Sequence, residues 1–141
     1  MATNSDDKQA TEKVSATIEI EVPVETWIDF LTKHTDIFKH SYIGYWACGV
    51  KHHPEHGWLV FEDCDGEYKN KNEPGHDKAV KAWKAGEELP ARWFRLDKAM
   101  AIKAFLEGVK LWGLDWFETK GDANTYDAAL QHAMLGELRY S

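Results

Sequence analysis

Apolar and polar residues alternate without a break across 14–22. Val14, Ala16, Ile18, Ile20 and Val22 fall on one side, and Ser15, Thr17, Glu19 and Glu21 on the other. A period of two predicts a strand with one wet face. Residues 1–13 are small and polar without any period and read as a disordered tail. Pro23 suits the first position of a helix, where its missing N–H would have no partner anyway. Trp27, Phe30 and Leu31, three and four apart, give that helix an apolar stripe. Thr35 or Asp36 can cap a further short turn holding Ile37 and Phe38.

A β-hairpin is predicted next, with residues 45–52 and 57–62 flanking a turn at His53-Pro54-Glu55-His56. A four-residue loop pairs Val50 with Leu59 and Cys48 with Phe61, and puts Trp46 on their side, which makes a strong core face. The other side carries Tyr45, Ala47, Gly49, Trp58 and Val60: a trough floored by small residues and flanked by two aromatic rings. A slip of one residue would exchange the two faces.

Beyond a polar loop at 65–75, a helix is predicted over 76–85, anchored by Val80 and Trp83 and ended by Gly86 and Pro90. Asp97 caps a longer helix reaching about Trp112. Ile102, Phe105, Val109 and Trp112 form one stripe on it, and Met100, Ala104 and Leu111 a second. Two apolar sides mark it as the central helix. Asn124 with Asp127 resembles a capping box, and opens a last helix that runs to Gly136 with Tyr126, Leu130, Ala133 and Met134 inward. Residues 137–140 can add a short strand. With no regular βαβ alternation, the expectation is one α+β domain over 14–141, a small antiparallel sheet of about three to four strands packed with about four helices.

Composition adds a well-filled interior. Seven tryptophans in 141 residues imply a buried aromatic core, an aromatic binding surface, or both. No apolar run approaches the roughly 20 residues of a membrane span, and the first residues lack the apolar stretch of a secretory signal. The expectation is therefore a cytoplasmic protein without a membrane partner. Two cysteines, Cys48 and Cys64, cannot make a disulfide scaffold.

The net charge of −7 is unevenly spread. Residues 75–113 carry eight basic against five acidic side chains, so the rest of the chain is more acidic than the total. An acidic body repels phosphate backbones, which argues against non-specific nucleic-acid binding. The basic middle suits a small anion or an acidic partner patch, although a solvated helix face accounts for it as well.

Several activities lack their signs. There is no glycine-rich phosphate loop and no G-x-G-x-x-G fingerprint. Only four serines occur, three of them in or near the chain ends, which speaks against a serine hydrolase. No catalytic constellation or cofactor is implied. His52, His53 and His56, with Asp63, Cys64 and Asp65 across the hairpin, comprise zinc-ligand residue types, but their spacing fits no closed site and wet turn histidines explain them equally. Asp63-Cys64-Asp65-Gly66 begins like a calcium loop without its closing Glu.

Two clusters suit a planar ligand. Arg92-Trp93-Phe94-Arg95 lies between two helices, and paired guanidiniums beside aromatic rings can bracket a phosphate, a carboxylate or a base; alternatively Trp93 and Phe94 simply anchor a connector. Asn124, Asp127 and Gln131, three and four apart, share one helix face and can read the polar edge of a heterocycle; Asn124 and Asp127 also serve as a cap.

The run from Ile43 to Val50 (IGYWACGV) with Gly57 to Glu62 (GWLVFE), and later Arg92 to Asp97, Gly108 to Gly113 and Asp122 to Tyr140, resembles a pattern in small accessory proteins of bacteriophages and prophages. It spans about 24–140, with Ser141 standing where that pattern ends in glycine. The resemblance brings no activity with it. It implies a setting, the host cytoplasm, and a role such as sequestering a host defence signal.

Three readings follow. In the first, a non-catalytic protein holds a nucleotide-like small molecule against Tyr45 and Trp58, with Arg92, Trp93, Arg95, Asn124, Asp127 and Gln131 around it, and a homo-oligomer closes over the shallow surface. In the second, the aromatic patch docks on a host protein. The third is a small hydrolase or transferase, whose components nothing in the spacing organises.

Overall fold

The computed structural model describes residues 10–39, 42–63 and 73–140. The tail at 1–9, most of the polar loop, Cys64, Asp65, Gly66 and Ser141 lie outside the described residues. The α+β expectation holds: β1 (Ala47–His53), β2 (Gly57–Glu62) and β3 (Trp93–Leu96) form one antiparallel sheet in the order β1-β2-β3. A π-helical turn at Val24–Asp29 runs into α1 (Phe30–Lys33), and α2 (His76–Ala85), α3 (Lys98–Trp112), α4 (Trp116–Thr119) and α5 (Ala123–Leu135) supply the rest.

The sheet's membership differs from the sequence expectation. Residues 14–22 are not a strand: they run outside any helix or sheet, with Val14 87% and Ile18 58% exposed. Only Ile20 and Val22 lean on the core. Alternation encodes an extended backbone with two unlike faces, but a strand also needs a neighbouring edge, which this segment lacks among the described residues. The third strand is instead the Trp93–Leu96 connector. Its WFRL sequence is too short to show a period, and the paired edge of β2 recruits it. Residues 137–140 are likewise not a strand, and Gln131 ties them down through side-chain bonds.

The hairpin register is half as expected. Ala47 pairs with Glu62, Cys48 with Phe61 and Gly49 with Val60, as a four-residue loop requires. A bulge at Val50 then shifts the pairing by one, so Leu59 faces Lys51 and not Val50. Three residues, Pro54 to His56, turn the chain between His53 and Gly57.

Both faces of the sheet are covered. Ala47, Trp58, Val60 and Leu96 pack on the main core with α3 and α5, while Leu59, Phe61 and Trp93 sit with Ala79 under α2. The face expected to be an open trough is therefore largely an interior face. α3 is the hub, as its two stripes imply, touching α5, α4, β3 and the π-helical turn. Ala101, Ala104 and Gly108 bring large rings close to its axis; any side chain at Gly108 would run into the Trp116 ring. Trp27 is fully buried there with its rings edge-on to Phe105, Trp116, Phe117 and Tyr126, and its Nε1 donates to Ala101 O at 2.7 Å. α5 starts at an Asp122–Thr125 capping box and not at Asn124, because the Asp122 carboxylate already accepts the Thr125 N–H.

Candidate functional site

A groove of about 790 Å³ opens between the turn at Tyr42–Tyr45, the first half of α5 and the segment after α5. Tyr42 and Tyr45 stand on one rim, stacked on each other at 6.3 Å and 19°, and Tyr45 is 63% exposed. Asn124 and Asp127 face the opening from α5, and Trp46 and Trp112 line it further in. Three of the expected ligand contacts, Tyr45, Asn124 and Asp127, thus meet in one cavity.

Its polar wall is a connected network. Asp127 accepts the Trp46 indole N–H at 2.5 Å on one oxygen and the Gln131 amide at 3.1 Å on the other. Burial pushes the Asp127 carboxyl above the usual carboxylate range, and those two hydrogen bonds pull it partly back. Gln131 is fully buried. Its Oε1 accepts from the backbone N–H of Arg139 (3.0 Å) and Tyr140 (2.8 Å), and its Nε2 also donates to Tyr140 O (2.7 Å). Every polar atom of Gln131 is engaged, so it clamps the chain end that forms the groove's second wall. The Tyr140 ring lies parallel to Trp46 at 6.3 Å, and its hydroxyl donates to buried Glu62 at 2.5 Å. Arg139 completes the wall by pairing with Glu62 and Glu137.

Other expected contacts lie elsewhere. Arg92 has its guanidinium 4.7 Å above the Phe61 ring and donates to Glu62 O at 2.8 Å. It holds a left-handed backbone (φ 75°), at a cost on the order of 1 kcal/mol or more, and its carbonyl accepts the Glu62 N–H. Arg95 donates to Ala82 O and Glu87 O, closing the end of α2. Trp93 is 3% exposed and bonds Pro74 O. These three side chains join β3 to its neighbours, and the groove does not include them.

Trp58 is 8% exposed, its ring held edge-on by Phe38 at 4.9 Å and beside His52 at 4.6 Å. Phe38 fills the floor of the expected trough: a side chain at Gly49 would strike both Phe38 and Trp58. A second cavity of about 660 Å³ remains beside it, lined by Tyr45, Ala47, Cys48, Gly49 and an edge of Trp58. Tyr45 therefore stands between two openings. Burial, then the nearby Glu73 and Asp63, push the Cys48 thiol up, which disfavours the thiolate.

The turn histidines divide. His52 bonds Thr32 O at 2.8 Å, while His53 and His56 stack on each other at 4.4 Å. Among the described residues no three histidine, cysteine or acidic side chains gather as a metal site. Sequence reasoning missed Glu62, Arg139 and Tyr140, whose roles depend on contacts almost 80 residues away. Tyr42 carried a visible signal, its spacing of three from Tyr45.

No protein family, curated protein or solved structure matches the chain. Among the described residues no helix is long and apolar enough to cross a membrane.

Proposed function

We propose that this protein binds, without chemical change, a planar small molecule of the nucleobase or nucleotide kind in the groove beside Tyr42 and Tyr45. One observation carries the reading: two tyrosines stack in the open at the mouth of a 790 Å³ cavity instead of burying their faces. That volume suits a small ligand, and an exposed ring face is a surface on which a heterocycle stacks. Asn124 offers an amide to its polar edge. Arg139, the one cation lining the groove among the described residues, is already paired with two carboxylates, so the ring supplies the recognition and phosphate adds little. Both Asp127 oxygens are engaged, which supports binding over catalysis. Joined to the resemblance to phage accessory proteins, the reading assigns the protein to sequestering a host signal.

Trp46 and Trp112 line the groove and report on its contents. Mixing with a panel of nucleobases, nucleosides and nucleotides is expected to quench tryptophan emission and raise the melting temperature for at least one member. Tyr45→Ala is expected to weaken both responses. A panel with no effect on either signal refutes the reading. Exposed Leu138 on the groove wall, with exposed Tyr42 and Tyr45 on its rim, favours a second one, docking of a host protein on this patch. A silent panel together with co-purification of one host protein would support it.

A further inference from the structure

The segment at 14–22 has the makings of a strand and no sheet. Among the described residues, no backbone N–H or carbonyl of 10–22 has a backbone partner in its own chain. Its β-branched residues Val14, Thr17, Ile18, Ile20 and Val22 favour the extended form, and most of its apolar row is in water. The sheet, for its part, has an open edge. β1 pairs with β2 on one side, and among the described residues no strand pairs with the other. An unpaired edge seven residues long is a ready template for another strand.

The two halves of this unmet pairing fit each other. Nine arm residues span about 30 Å, enough to cover all of β1. Residues 12–22 carry Glu12, Glu19 and Glu21 against Lys13, whereas β1 carries Lys51, His52 and His53 and no acid. The sides match as well. Lys51 and His53 pair with Leu59 and Gly57, so they lie on the α2 side of the sheet, while Ala47, Gly49 and His52 lie on the other. Because the side-chain period is two, a parallel register that sets Glu19 beside Lys51 sends Ala16 and Ile18 to the side of Ala47 and Gly49, and leaves Ile20 and Val22 on their own core. Beside Ala47 and Gly49 the second cavity waits to be covered.

We infer that the arm at 14–22 pairs with the free edge of β1 in a second copy of this chain, making a reciprocal dimer. Every copy carries one arm and one such edge, so a two-fold exchange satisfies both and leaves neither exposed. The same exchange covers the cavity behind Tyr45 with apolar residues from the partner copy.

Light scattering on the eluting full-length chain, over a dilution series, tests this. The expected mass is twice that of one chain. Thr17→Pro removes an arm N–H, and Ile18→Asp puts charge on its apolar row; each is expected to give the single-chain mass with an unchanged far-UV spectrum, since neither site belongs to the folded body. Glu19→Lys is expected to weaken the dimer, and adding Lys51→Glu to restore it. Amide exchange of 15–21 should slow with rising protein concentration. A chain that stays single at every concentration, or a dimer that survives Thr17→Pro, overturns the inference. So does protection of the arm amides that persists in the single chain, because the arm would then lie on its own body.

Discussion

The aromatic knot around Trp27 and the tyrosine pair at the groove use the same kind of side chain for opposite ends. In the knot, Trp27, Phe105, Trp116, Phe117 and Tyr126 meet mostly edge to face, and both indole N–H groups reach α3 carbonyls. At the rim, Tyr42 and Tyr45 lie nearly parallel with Tyr45 mostly in water. Trp46 and Tyr140 mark the boundary, stacked like the rim pair but bonded to buried or half-buried carboxylates like the knot. A large ring is thus committed to the interior where helix faces of small residues receive it, and left available where no such surface approaches.

Substitutions at the two places should therefore separate stability from binding. The largest effect is expected for Trp27→Ala, which empties the knot and removes the indole hydrogen bond to Ala101 O. Urea unfolding should show a loss of about 3–5 kcal/mol, and a much smaller loss would mean the knot repacks. Next is Gln131→Leu. It strips partners from the backbone of Arg139 and Tyr140 and should cost about 1–3 kcal/mol, with faster amide exchange at 139–140 as the local sign.

A smaller effect concerns pH. Asp127 has its folded-state pKa raised, by burial first, above the value it has in the unfolded chain. Taken alone, it favours the folded state most below the ordinary carboxylate range, and that contribution disappears as pH rises through its raised value. Carboxyl carbon NMR should place its midpoint above the ordinary range. Trp46→Phe, which deletes a hydrogen bond to the ionised form, should move the midpoint further up. The least effect on stability is expected at Tyr45→Ala, within about 0.5 kcal/mol, while affinity for a stacked ring falls by about 1–3 kcal/mol. If Tyr45→Ala unfolds the protein, the contrast between knot and rim fails.

Long helical stretches were legible in the chain itself. α2, α3 and α5 lie where their stripes and glycine stops put them, and the first half of the hairpin keeps the expected register. Local signals of that kind act within a turn or two, so the sequence alone can express them. Asn124, Asp127 and Gln131 were legible as one face of a helix, and Tyr45 as an aromatic beside them, because a helix fixes such neighbours by geometry.

Other features depended on partners remote in sequence. The bulge at Val50, the recruitment of Trp93–Leu96 and the unpaired state of 14–22 turn on which edge meets which. So do the placing of Arg92 and Arg95 away from the groove, and the Phe38 ring over Trp58. Alternation states that a segment has two unlike faces, and never names what will cover either. The sequence by itself determined the α+β class, the helix positions and the aromatic richness of the interior. Tertiary packing alone decided which rings are sealed and which are open, because burial belongs to the surface that arrives from elsewhere in the fold.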